Sequence, residues 1–108
     1  MMNGHALRQA EKAENQRSKA HDLEERLLEY GARIISVVES LPKSLTGRRI
    51  GDQLLRSGTA VGAHYQESRG AESRDDFAHK LQMALQELRE SNYWLRLLVK
   101  AGTMAPVA

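Results

Sequence analysis

Ile50-Gly51-Asp52-Gln53-Leu54-Leu55-Arg56-Ser57-Gly58-Thr59-Ala60-Val61-Gly62-Ala63-His64-Tyr65 is the stretch that decides the fold. Ile50, Leu54, Gly58, Val61 and Tyr65 are spaced 4, 4, 3 and 4, the recurrence of one face of an α-helix. Small residues crowd the centre of that face. A glycine inside a helix costs roughly 1 kcal/mol against alanine, so Gly51, Gly58 and Gly62 call for a compensating gain, and close approach of a second helix supplies one. Arg56 and His64 flank the Gly58-x-x-x-Gly62 pair, which argues against a membrane helix. The segment predicts a helix from about Arg48 to Arg69, capped by Ser44 or Thr46.

Upstream, Leu27, Leu28, Ile34, Ile35, Val38 and Leu41 recur at helical spacing and predict a first helix over 22–41. Asp22 with Glu25 has the form of a capping box, and Pro42 disfavours helix at Leu41. Residues 1–21 are polar with scattered alanine, and read either as a helix continuous with the first or as a disordered extension. Downstream, Gly70 to Glu72 is a turn. Ser73-x-x-Asp76 is a second capping box, and it opens a third helix over 74–101. Phe77, Leu81, Ala84, Leu88, Ser91, Leu95 and Leu98 alternate spacings of 4 and 3, a heptad-like seam. Leu85, Tyr93 and Trp94 widen its apolar surface. Leu81, Leu85, Leu88, Tyr93, Trp94 and Leu95 are therefore the expected oligomer or bundle interface. Gly102 is the expected stop, leaving 103–108 as a short tail.

Length and composition agree with this reading. One hundred and eight residues make one small domain. Prolines occur only at 42 and 106, so the rest of the chain is free to be helical. The expected fold is all-α, an antiparallel up-and-down helical bundle. There is no cysteine, which excludes disulfides and thiolate metal sites. No apolar run approaches a membrane span, and the polar N-terminus lacks a signal-peptide core. The expected location is cytoplasmic.

Candidate chemistry is sparse. Residues 43–74 hold six cations against three acids, five of the six being arginine. Arg48, Arg49, Arg69 and Arg74 are candidate phosphate contacts, because the guanidinium fork binds phosphate in two-point fashion; the bland alternative is a solvated face with ion pairs. Arg56, beside the small-residue stripe, is expected to be partly buried and paired with a carboxylate such as Glu67 or Glu87. His64, Glu67 and His79 lack the repeated carboxylates of a di-metal bundle site, so no metal or cofactor is expected. Ser57 and Ser73 lack a base and an orienting acid at recognisable spacing, and read as packing residue and cap. Tyr93 and Trp94 suit base stacking, though packing is commoner for aromatics on an apolar helix. No enzymatic activity is expected.

Gln53-Leu54-Leu55-Arg56-Ser57-Gly58, the later Glu67, Ser73-Arg74-Asp75-Asp76-Phe77, Ala84-Leu85-Gln86-Glu87 and Glu90 with Tyr93-Trp94-Leu95 stand in an order that resembles the four-helix-bundle proteins encoded in 23S rRNA intervening sequences. The resemblance covers roughly residues 23–102. It marks Gln53, Arg56, Ser57, Gly58, Gly62, Glu67, Ser73, Asp76, Phe77 and Glu87 as the structural motif. It implies a four-helix type of bundle that assembles as a ring-like homo-pentamer. It also implies kinship with the accessory protein of diversity-generating retroelements, which binds a reverse transcriptase and nucleic acid through a basic surface. It carries over no catalytic residues. Family chains continue past the equivalent of Ala101-Gly102 into a fourth helix, whereas six residues follow Gly102 here. The expectation is a truncated chain, functional or not, or a fourth helix supplied by another chain, with the N-terminal extension as a further substitute. Possible partners are thus copies of itself, structured RNA or DNA, and a protein that lays a helix in the open groove.

Overall fold

The computed structural model describes residues 3–105, which form three helices: α1 (Gly4–Ser40), α2 (Leu45–Arg69) and α3 (Arg74–Lys100). α1 is a single helix of 37 residues, about 55 Å long. Its cap is Asn3, whose side chain accepts from the Ala6 amide at 2.8 Å. The capping box expected at Asp22 is therefore not used; Asp22 lies inside the helix. Between Gly4 and Ser40 there is no proline, and Ala, Glu, Lys, Arg, Gln and Leu dominate. Nothing breaks the ladder, so a cap in mid-run has no free amides to satisfy.

The other termini follow local chemistry. Ser44 caps α2 by accepting from the Gly47 amide at 3.1 Å, three residues earlier than the expected start at Arg48. Ser73 caps α3, accepting from the Asp76 amide at 3.0 Å, and the Asp76 carboxylate accepts in turn from the Glu72 amide. At the far end the Gly102 amide donates to Val99 and the Thr103 amide to Leu98. Gly102 sits at φ 75°, so this is a Schellman stop, which needs a residue without a Cβ penalty in the left-handed region.

α2 runs antiparallel between α1 and α3. The flanking helices stay more than 8 Å apart, Cα to Cα, throughout the described residues. The Cα positions span 66 × 28 × 18 Å, an elongated, flat arrangement with the amino-terminal part of α1 exposed. Leu54, Val61 and Tyr65 of the α2 stripe are buried with Gly51, Ser57 and Gly58. Burying each large apolar side chain contributes about 1.5–3 kcal/mol. Ile34, Leu41, Leu54 and Leu98 form the core cluster, with Tyr30, Trp94 and Leu95 packed against it.

Gly58 explains the close approach of α1 and α2. A Cβ there would lie 2.7 Å from Cγ2 of Ile34, nearer than carbon atoms approach. Gly51 and Gly62 are different: a Cβ would be 3.4 Å from Leu41 and 3.6 Å from Leu27, ordinary contacts. The expectation that all three glycines serve close packing is corrected to Gly58 within that stripe. Gly47 adds a second obligatory site, where a Cβ would overlap the Pro42 carbonyl oxygen at 1.9 Å.

Two expected apolar faces are divided by the packing. On α1, Ile34 and Leu41 are buried, whereas Leu28 is 68% exposed and Ile35 46%. On α3, Ala84, Ser91 and Leu98, seven residues apart, are the buried line. Phe77 and Leu81 remain 43% and 39% exposed, at the lip of a groove.

Candidate nucleic-acid interface

The basic middle of the sequence does not form one patch. Arg48 and Arg69 lie at opposite ends of α2, about 32 Å apart along its axis. Arg69 is bound to Glu24 of α1, and Arg74 opens α3 at the same end. Arg48 and Arg49 lie near the α1–α2 connection, with Lys43. The structure thus does not bring the candidate contacts Arg48, Arg49, Arg69 and Arg74 together: a helix separates by rise what the sequence keeps within one segment.

The antiparallel return of α3 supplies new neighbours. Leu54 of α2 and Leu98 of α3 share the core cluster, so the carboxy-terminal half of α3 lies level with the start of α2. Toward the end next to the α1–α2 connection lie Lys43, Arg48, Arg49, Arg96 and Lys100, with Arg33 and Arg89 level with the middle of α2; all seven are exposed. None of the seven takes part in an ion pair among the described residues. Arg89, Arg96 and Lys100 were missed in the sequence because residues 75–108 balance to zero charge. The acids of that stretch come first, and the cations come mostly last. The signal was present in the spacing Arg89, Arg96, Lys100 on a helix already recognised.

Arg56 ties α2 to α3. It pairs with Glu87 at 3.1 Å and with Glu90, and its Nε donates to Gln53 at 3.4 Å. The expected partner Glu87 is present. Glu67 instead lies 3.6 Å from His64 Nδ1 on its own helix. The Arg56 side chain is 49% exposed, so it is half-buried in an ion-pair cluster that is open to water on one side. Glu90, not expected from the sequence as a partner of Arg56, also accepts from Trp94 Nε1 at 3.3 Å, which anchors the indole.

The remaining polar candidates are structural. Ser57 is fully buried and donates to the Gln53 carbonyl at 2.8 Å. Ser73 is a cap. Among the described residues no three His, Cys, Asp or Glu side chains gather to hold a metal ion. No described helix is long and apolar enough to cross a membrane.

An apolar groove of about 550 Å³ runs between α1 and α3 over α2, lined by residues that include Leu23, Leu27, Phe77, Leu81, Leu85 and Leu88. Among the expected interface residues, Leu88, Trp94 and Leu95 are half-buried, while Leu81 and Leu85 are exposed at this groove. Tyr93, at 57% exposure, lies outside the bundle interior. Its ring meets Trp94 edge to face, with centroids 5.2 Å apart and planes at 73°.

The model of a family described as 23S rRNA-intervening sequence protein matches residues 12–106. The chain belongs to this family. The 23S rRNA-intervening sequence match starts within α1, so the family region includes part of the extension that the sequence left undecided. A crystal structure of a protein of unknown function from the S23 ribosomal protein family of Bacteroides thetaiotaomicron VPI-5482 is similar in fold, with a TM-score of 0.69 and 35% identity. That similarity covers 81% of this chain and 78% of the other. No curated protein matches the chain. The all-helical bundle expected from periodicity is thus shown by the three helices and by a solved relative.

Proposed function

We propose that this member of the 23S rRNA-intervening sequence family is a non-catalytic accessory protein that assembles with copies of itself and binds structured RNA or DNA through its basic end. The observation that carries the reading is that Arg33, Lys43, Arg48, Arg49, Arg89, Arg96 and Lys100 are exposed, and none of them is in an ion pair among the described residues. Cations left without carboxylate partners add self-repulsion to the folded chain, and phosphates relieve it while releasing counterions.

The test is fluorescence-anisotropy binding to a structured RNA and a DNA duplex at low and moderate salt, with mass followed in parallel. Expected are binding that falls steeply with salt, and loss of affinity on Arg48→Glu plus Arg49→Glu. Absence of binding at low salt by the folded protein, or an unaffected double variant, overturns the reading.

The apolar groove favours a second reading, a scaffold that takes a helix from another chain. Phe77, Leu81 and Leu85 leave apolar area open there. Helicity and mass that rise with concentration support that reading, and a cooperative monomer independent of concentration opposes it.

A further inference from the structure

Ala84, Ser91 and Leu98 fix which side of α3 faces the bundle interior, since all three are buried. Opposite that line stand Arg89, Tyr93, Arg96 and Lys100. At 100° per residue they fall within an arc of about 60° centred opposite Ser91, and they extend along about 16 Å of helix. All four are exposed. None of the three cations has an ion-pair partner, and no hydrogen bond engages the Tyr93 hydroxyl among the described residues.

Tyr93 is not among the residues packed against the core cluster. Its ring is mostly exposed, with an edge-to-face contact to Trp94 as its aromatic neighbour. That contact covers at most one face of the tyrosine. Trp94 is itself held by Glu90 and by the core cluster, so the tyrosine stands against a fixed support. The result is an aromatic ring with an open face, with a cation one turn before it, a cation one turn after it and a third a turn beyond.

We propose that Tyr93, flanked by Arg89, Arg96 and Lys100, is a stacking site for an unpaired base of a bound nucleic acid. The inference rests on the nucleic-acid reading above and adds a preference to it. Cations alone serve any phosphate backbone. An exposed ring adds a partner for the face of a base, and that face is covered by neighbours within a duplex but open in loops, bulges and single strands. The basic end thereby distinguishes looped from fully paired nucleic acid without reading sequence.

The experiment compares two RNA probes with equal numbers of phosphates, a hairpin with an unpaired loop and a blunt duplex. Both are titrated against the full chain and its Tyr93→Ala and Tyr93→Phe variants. Wild type is expected to bind the hairpin more tightly. Tyr93→Ala is expected to lose about ten-fold on the hairpin and nothing on the duplex, while Tyr93→Phe keeps the preference. Trp94 is the sole tryptophan, so its fluorescence reports the event: a change on hairpin binding in wild type, absent in Tyr93→Ala. Unchanged hairpin affinity in Tyr93→Ala, or an equal loss on both probes, overturns this proposal and leaves the nucleic-acid reading standing. Binding of neither probe by folded wild type overturns both.

Discussion

The Tyr30 hydroxyl lies 2.8 Å from Ser91 Oγ, the one hydrogen bond that joins α1 to α3 among the described residues. Ser91 Oγ is also 3.0 Å from the Leu88 carbonyl, which takes the serine proton. Tyr30 is therefore the donor to Ser91. The two outer helices, kept apart by α2, meet through this pair. Tyr30→Phe is expected to lower stability by about 0.5–1.5 kcal/mol with helix content unchanged, measured by urea denaturation followed by circular dichroism. A variant as stable as wild type would show that the bond adds nothing to the docking of α1 on α3.

Glycine substitutions are expected to differ in sign. Gly31 has no atom within 4 Å of a built Cβ, and at Gly62 the nearest is 3.6 Å. Alanine at either is expected to raise stability by up to about 1 kcal/mol through helix propensity. Gly58→Ala meets Ile34 at 2.7 Å and is expected to cost about 1–3 kcal/mol. Thermal melts of the three single variants decide it, and a Gly58→Ala protein as stable as Gly31→Ala would contradict the packing.

The Arg56 cluster is half open to water, and its contribution is correspondingly small. Arg56→Ala is expected to cost about 1 kcal/mol or less, and less still at high salt. Denaturation at two ionic strengths checks this; an equal and larger loss at both would mean that the guanidinium works mainly by packing its stem.

The two ends of α2 are expected to respond differently to charge removal. Arg69 is occupied by Glu24, so Arg69→Ala is expected to weaken α1 docking and leave nucleic-acid affinity unchanged. Arg49→Ala is expected to reduce the salt slope of binding by about one with stability unaffected. Salt titrations of the two variants would contradict the assignment if their effects were reversed.

Much of the fold was legible because helix signals are local. Pro42, Ser44, Ser73 and Gly102 act on amides and carbonyls within a few residues of themselves, so they can be read without a partner in view. The start of α1 was not legible in the same way. Asp22-x-x-Glu25 has the form of a cap, but a cap is used only where the ladder is already broken. The 4-3 spacing on α3 identified a helix without saying which of its apolar lines is buried deepest. Ala84, Ser91 and Leu98 took that place.

The candidate surface was the least legible part. Sequence alone determined three amphipathic helices, their order, most of their termini and the family to which the chain belongs, because caps, breakers and periodicity are short-range properties of the chain. Only the tertiary structure decided that Arg48 and Arg49 lie at the same end of the bundle as Arg96 and Lys100, and Arg69 and Arg74 at the other. It also decided that Arg56 reaches Glu90, and that Tyr93 faces outward. The physical reason is geometric. An antiparallel turn brings residues some fifty positions apart to one level, while the rise of about 1.5 Å per residue carries near neighbours in sequence to opposite ends.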